Sequence, residues 1–303
     1  MKPVIVIFDE APHFLDHLAP LAIWLGIPLL VISFKDYTLV KEYYPEAECY
    51  FAKGKELVLT ELLKKYDLIL YSTFNRKAFE KEVGKDIKTV FVPHGNSDKD
   101  VRKDFQDEEM VFIYGQRMYD FLGPKNYITV GNYRKKYFAK KKYASPLSFT
   151  LKQKTILYAP SLGSFNPEVL RVPHYLNLVI KPHPFFERER RGLFTSISLK
   201  ANIQVLEDYP LVYPLLEEVD VYLGDISSLG YDFLSCDKPL FFIGEEPLYS
   251  HRFGFRILED IYKEIEGNSD SHQKERQDGY AYTFAPVPSK EHVYARLREY
   301  CES

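Results

Sequence analysis

The stretch Val221-Tyr222-Leu223-Gly224-Asp225-Ile226-Ser227-Ser228-Leu229-Gly230-Tyr231-Asp232-Phe233-Leu234 is a short apolar run, a Gly-Asp break, two hydroxyls, and then apolar residues at helical spacing. That pattern spells a buried strand running into a helix. The same grammar recurs along the chain. Strands are expected at 4–8, 29–33, 68–71, 89–92, 111–113 and 127–130, and again at 155–159, 178–181, 203–206, 219–223 and 240–243. Helices are expected between them at 11–25, 55–65, 116–122, 211–218 and 229–235, with a last one at 290–300. Repeated strand–helix alternation predicts α/β architecture, with parallel sheets covered on both faces. The series restarts after a basic, Ser- and Pro-containing stretch, so two doubly wound Rossmann-like domains are expected, at 1–148 and 149–303, with the final helix free to pack on either.

Length and composition agree. The 303 residues suit about two domains of ~150 residues. Hydrophobic residues make up 46% and charged residues 27%, which excludes long disorder, collagen and coiled coil. Forty basic against forty-three acidic side chains leave a net charge of −3, which disfavours a basic face for nucleic acid. The three cysteines, Cys49, Cys236 and Cys301, are too few and too scattered for a disulfide framework or a zinc site, and fit a reducing, cytoplasmic compartment. The uncharged run 18–34 approaches the length of a membrane span, but Pro20, Gly26 and Pro28 divide it into a helix and a strand. No Gly-x-Gly and no phosphate-cradling P-loop occurs, so ordinary NAD enzymes and P-loop ATPases are poor readings.

In an open α/β sheet, ligands sit beyond the carboxyl ends of the strands, and three polar clusters lie at such ends. Phe91-Val92-Pro93-His94-Gly95 delivers His94 to a turn as a general base or phosphate contact. Val179-Ile180-Lys181-Pro182-His183-Pro184 holds His183 between two prolines, which stiffen the turn that presents it. The quoted stretch places Ser227 and Ser228 at a helix start, where unpaired amides attract anions, and Asp232 one turn on as an acceptor for ribose hydroxyls or as an exposed helix-face acid. Against each stands a plain alternative: a structural loop histidine, a solvent-facing turn, and a serine helix cap.

Other features read more plainly. His13 and His17, at i and i+4, have the spacing of a metal pair but no convincing third ligand. Asp98-Lys99-Asp100 resembles a metal-binding Asp-x-Asp but sits in a charged loop and reads as solvated surface. Six cations in the nine residues 134–142 would suit anionic lipid headgroups or a polyanionic acceptor, with a solvated interdomain helix as the plainer reading.

Taken together, Tyr158-Ala159-Pro160-Ser161, Lys181-Pro182-His183-Pro184, and Asp225-Ile226-Ser227-Ser228 with Asp232 and Lys238-Pro239 resemble the CDP-glycerol glycerophosphotransferases, the teichoic acid primases and polymerases. Pro93-His94-Gly95 is similar to that family's His-Gly motif, and Tyr249 to Phe255, with Arg252, to its Tyr…Arg-Gly-Phe segment. The resemblance implies a GT-B fold with the active site in a cleft between the domains. It implies His94 and His183 as catalytic residues and Ser161, Lys181, Ser227, Ser228, Asp232 and Arg252 as donor-binding residues. It implies no metal and no cofactor. The partners it implies are CDP-glycerol or another cytidine-nucleotide donor and a polyol-phosphate or glycan acceptor, with no nucleic acid; the charge of the basic run, not the resemblance, is what suggests peripheral contact with the inner membrane surface. This sequence has Pro93 where the family carries Trp, and Ile226 where it carries Tyr. The rival readings are a CMP-sugar transferase of the sialyl or Kdo type with Asp9 as a candidate base, a UDP-sugar 2-epimerase-like enzyme, and a non-catalytic nucleotide-binding protein of envelope assembly.

Overall fold

The structure is a computed structural model of the chain, which describes residues 1–8, 10, 12–54, 63–72, 87–99, 105, 107–161, 163–183, 197, 200–244 and 248–303. The chain forms two compact units. The first comprises Met1–His94, Asp100–Lys141 and Tyr282–Ser303; the second comprises Gly95–Lys99 and Lys142–Ala281.

The first unit holds a parallel sheet of seven strands, β1 (Pro3–Ile7), β2 (Leu29–Val31), β3 (Cys49–Phe51), β4 (Leu68–Tyr71), β5 (Lys88–Phe91), β6 (Val111–Ile113) and β7 (Tyr127–Thr129), in the order β3-β2-β1-β4-β5-β6-β7. Strands β1, β2 and β4 are buried almost throughout, as parallel strands covered on both faces must be. Around them lie α1 (Pro12–Leu25), α2 (Phe34–Tyr43), α3 (Gln116–Leu122) and α4 (Tyr133–Phe138). Pro12 opens α1, where a missing N–H costs nothing. The C-terminal helix (Lys290–Glu302) packs on this unit. Its Tyr300 hydroxyl donates to the Thr89 carbonyl at 3.0 Å and its Tyr294 hydroxyl to the Leu25 carbonyl at 3.0 Å.

The basic run differs from its sequence reading. It is not a solvated helix: α4 buries Tyr133, Arg134, Tyr137 and Phe138. The Arg134 guanidinium pairs with the Asp16 carboxylate of α1, each side chain 2% exposed. The run reaches solvent at Lys136 and again from Ala139 to Lys142.

The second unit holds six parallel strands, β8 (Thr155–Ala159), β9 (Asn177–Ile180), β10 (Ile203–Val205), β11 (Val221–Gly224), β12 (Leu240–Phe242) and β13 (Phe255–Arg256), in the order β10-β9-β8-β11-β12-β13. The period-two split of its core is explicit. Ile156, Leu178, Ile180, Val221, Leu223 and Phe241 join one cluster, while Leu157, Val179, Tyr222, Leu240 and Phe242 join the other on the opposite face. Burying each such side chain contributes roughly 1.5–3 kcal/mol. The helices α5 (Val212–Glu218), α6 (Leu229–Phe233), α7 (Ile261–Gly267) and α8 (Gln273–Thr283) belong to the same stretch of chain. Helix α6 is shorter than expected and passes into a 3-10 turn, Leu234–Cys236. Most of the helix expected at 55–65 lies outside the described residues, of which a 3-10 turn, Leu63–Lys65, is seen.

In both sheets the strand order reverses once, between β1 and β4 and between β8 and β11. These reversals are the places where an open α/β sheet leaves a crevice for ligand at the strands' carboxyl ends. No helix among the described residues is long and apolar enough to cross a membrane.

Candidate functional site

At the second unit's reversal, Gly224 pairs with Ala159 and Tyr158 pairs with Ile180. The turns after β8, β9 and β11 therefore leave the sheet level with one another, on neighbouring strands about 4.8 Å apart. Gly224 must be glycine here, because a Cβ would collide with the Tyr222 ring. Asp225, the next residue, is the hub. Its carboxylate accepts the Ser161 amide at 2.9 and 3.1 Å, the Ser161 hydroxyl at 3.0 Å, the Ser227 amide at 3.0 Å and the Ser164 hydroxyl. One carboxylate thus fixes two turns that lie 64 residues apart in sequence.

Ser161 is 7% exposed and shapes the rim through Asp225, to which both its amide and its hydroxyl are committed. Ser227 and Ser228 are half-buried on the rim. Ser228 occupies the N-cap of α6 without spending its hydroxyl on the cap. Because α6 has five residues, its dipole is small, and hydroxyls and imidazole carry more of any anion binding than the helix start does. His183 is half-buried beyond β9. Its pKa is lowered to about 4, first by burial, then by the positive charges of Lys99 and Lys181, with Asp225 opposing. The ring is neutral at pH 7, with one N–H to donate.

Lys181 anchors its ammonium on the Tyr209 carbonyl at 2.7 Å. The site's positive character therefore comes partly from Lys99, which the sequence reading left in a solvated loop. Its neighbour Asp98 is half-buried and accepts hydrogen bonds from the Tyr231 hydroxyl of α6 and, at 3.0 Å, from the Ser250 amide. Asp98 is thus a fastener rather than a solvated acid; Asp100 lies outside the described residues. Asp232 is not an exposed helix-face acid. It is 2% exposed and accepts the Tyr213 hydroxyl at 3.2 Å. Arg252 is exposed and stacks over the Tyr249 ring, 5.3 Å from its centroid; among the described residues no hydrogen bond or ion pair joins it to the Asp225 network. A hollow of about 700 Å³ opens beside the ends of β12 and β13, lined by residues including Asn166, Ile243, Gly244, Arg256 and Tyr262.

In the first unit, His94 follows β5 and is half-buried. Gly95 behind it has φ +121°, a region open to glycine but strained for other residues. The His94 ring lies 5.0 Å from Phe14, 5.7 Å from His13 and 6.5 Å from His17, centroid to centroid. His13 and His17 therefore meet a third imidazole, although no group of side chains among the described residues could hold a metal ion. His17 is 6% exposed. Burial holds its pKa well below the usual histidine value, and Arg134, His94 and His13 push it the same way. Asp9, the alternative base, lies outside the described residues.

Residues 170–295 match the family model described as CDP-Glycerol:Poly(glycerophosphate) glycerophosphotransferase. No curated protein matches the chain. Among solved structures, the S. aureus MnaA–UDP co-structure aligns with a TM-score of 0.69 at 15% identity, over 100% of this chain and 97% of that one. The wall teichoic acid polymerase TagF, in a crystal soaked with CDPG, aligns with a TM-score of 0.69 at 12% identity, over 99% of this chain and 89% of that one. Anabaena Alr3699/HepE in complex with UDP-glucose aligns with a TM-score of 0.55 at 10% identity, over 100% and 99%. At these identities the likeness is one of fold, and the fold is GT-B. The matched segment, 170–295, carries His183, Asp225, Ser227, Ser228 and Arg252.

Proposed function

We propose that this chain transfers a glycerol-phosphate group from CDP-glycerol to an acceptor hydroxyl in cell-envelope polymer synthesis, releasing CMP. The observation that carries this reading is the rim of the second unit. There a single carboxylate, Asp225, locks two turns, and Ser227 and Ser228 follow β11 while His183 follows β9, the two strands that flank β8. These are neutral donors with the cations Lys99 and Lys181 acting on the imidazole, a setting suited to a diphosphate. Most of this rim falls within the segment that matches the family model. The hollow beside β12 and β13 is of a size to take the nucleoside.

In the reaction, an acceptor oxygen attacks the β-phosphorus of CDP-glycerol. The new P–O bond forms as the bond to CMP breaks, and CMP leaves with the electron pair. His94 takes the acceptor's proton. Such chemistry depends on positioning and charge stabilisation more than on covalent participation, which the rim hydroxyls and the His183 imidazole supply.

The test is CMP release from CDP-glycerol, CDP-ribitol, CMP-sialate and CMP-Kdo in parallel, read together with thermal stabilisation by CMP and UMP. Turnover with a CDP-polyol is expected. A ligand at a hundredfold excess over its Kd adds about 2.7 kcal/mol, and CMP is expected to give this where UMP gives much less. Turnover of a CMP-sugar alone, or equal stabilisation by the two nucleotides, would overturn the assignment.

A further inference from the structure

Three observations in the first unit meet at one phenol. The Tyr114 hydroxyl donates to the Pro93 carbonyl at 2.7 Å, and His17 Nδ1 lies 2.7 Å from the same oxygen. Tyr114 is 2% exposed and His17 6%, so water is not the default partner of either. A phenol has one proton and a carbonyl has none. The Tyr114 proton is therefore committed to Pro93, and its oxygen can only accept from His17. The hydrogen-bond network puts a hydrogen on His17 Nδ1, and burial keeps the ring neutral, so the tautomer is Nδ1–H with the lone pair at Nε2.

Pro93 is the residue before His94. Its carbonyl is fixed by Tyr114, and one residue earlier the Ser72 hydroxyl donates to the Val92 carbonyl at 2.5 Å. After His94 the chain turns at Gly95. The far side of the clamp is equally fixed. The Tyr133 hydroxyl donates to the His17 carbonyl at 3.0 Å, and the buried Asp16–Arg134 pair ties the same turn of α1 to α4. The ring of His17 thus lies against His94 in a fixed orientation and tautomer.

We propose that Tyr114 is a positioning residue for His94, its hydroxyl clamping the backbone before His94 and holding His17 as the neutral Nδ1–H tautomer alongside it. Nothing in the His-Gly motif points to this role, because Tyr114 stands 21 residues beyond Pro93 and 97 beyond His17. A neutral His17 matters chemically. An imidazolium at that distance would lower the proton affinity of His94, whereas a ring whose polar hydrogen is already committed leaves His94 free to take a proton. The catalytic consequence rests on His94 being the base of the proposed reaction; the clamp itself does not.

The test uses the full chain, labelled with ¹⁵N, and long-range ¹H–¹⁵N correlations of the imidazoles. Wild type is expected to show His17 protonated at Nδ1 and bare at Nε2 across neutral pH. In Tyr114→Phe, His17 is expected to redistribute between tautomers and the His94 resonances and titration to shift. CMP release is expected to fall about five- to tenfold, the rate equivalent of one lost hydrogen bond, with the donor KM unchanged. His17→Asn places an amide N–H near the Nδ1 position and is expected to keep the His94 titration close to wild type, while His17→Leu moves it. An Nε2–H tautomer in the wild type, or an unmoved His94 in a folded Tyr114→Phe protein, would overturn the clamp. If the spectra behave as expected but wild type turns over no cytidine donor, the clamp stands and the functional reading fails.

Discussion

His17 and His183 are both imidazoles whose proton affinity is lowered first by burial, yet they sit in opposite electrostatic settings. Around His17 the further influences named, Arg134, His94 and His13, all push its proton affinity down. Around His183 the lysines Lys99 and Lys181 are opposed by Asp225, a carboxylate already occupied by backbone and hydroxyl donors. The difference is one of purpose. In the proposed reaction the first unit's part is proton transfer, which a neutral imidazole of fixed tautomer beside His94 would serve. In the same proposal the second unit's part is donor binding, where an anion beside the neutral His183 ring would raise its proton affinity.

The sharpest way to break this contrast is to remove one imidazole from each setting. His94→Ala is expected to lower turnover on the order of 10²–10⁴-fold, the range for loss of a general base, with CMP affinity unchanged. His183→Ala is expected to act mainly on affinity for CMP and CDP-glycerol. Isothermal titration with CMP and a rate assay of CMP release separate the two. A fully active His94→Ala protein would remove proton transfer from the first unit.

A second comparison lies in the buried arginines. Arg134 has Asp16, and both are 2% exposed. Arg276 is 1% exposed, but its partners Asp237 and Asp270 are 30% and 31% exposed and share the load. Removing one member of a fully buried pair strands a charge and costs about 3–5 kcal/mol, so Asp16→Ala should lower the urea midpoint far more than Asp270→Ala does. Replacing both partners by apolar side chains, as in Asp16→Leu with Arg134→Met, should recover much of the loss, because desolvation disappears with the charges. Equal losses for Asp16→Ala and Asp270→Ala would show that exposure of the acids does not set the cost.

These pairings show what one sequence conveys. Strand cores such as 68–71, 111–113 and 155–159 were legible because both faces of a parallel strand are apolar, and the rim residues were legible because they follow those strands directly. The edge strands β3 and β13 were not. Tyr50 and Phe51 are exposed, and Phe255–Arg256 has two residues, too few for any period. Long-range partners were also hidden. Asp16 meets Arg134 across 118 residues, and Asp225 meets Ser161 because β8 and β11 are neighbours, a strand order no local pattern states. The i, i+4 spacing of His13 and His17 correctly put them on one helix face. What that face touches depended on where β5 and β6 end, and so the pair read as a metal-pair spacing without a third ligand rather than as company for His94.

The smallest expected effect is also the most direct probe of the His183 setting. Unfolded, this histidine takes up a proton near pH 6.5; folded, near pH 4. Between those values the unfolded state binds more protons, so the His183 contribution to stability is present above about pH 6.5 and is lost as pH falls toward 4. His183→Asn should therefore flatten, without abolishing, the acid limb of a urea-midpoint profile, since His17, also held low by burial, still contributes. Ligand binding runs the other way. An anion beside His183 raises its proton affinity, so pyrophosphate or CMP binding takes up protons, and affinity tightens as pH drops from 7 toward 5. Calorimetry in two buffers of different ionisation enthalpy measures that uptake. Its persistence in His183→Asn would mean that the proton goes to another group, and that His183 does not face the anion.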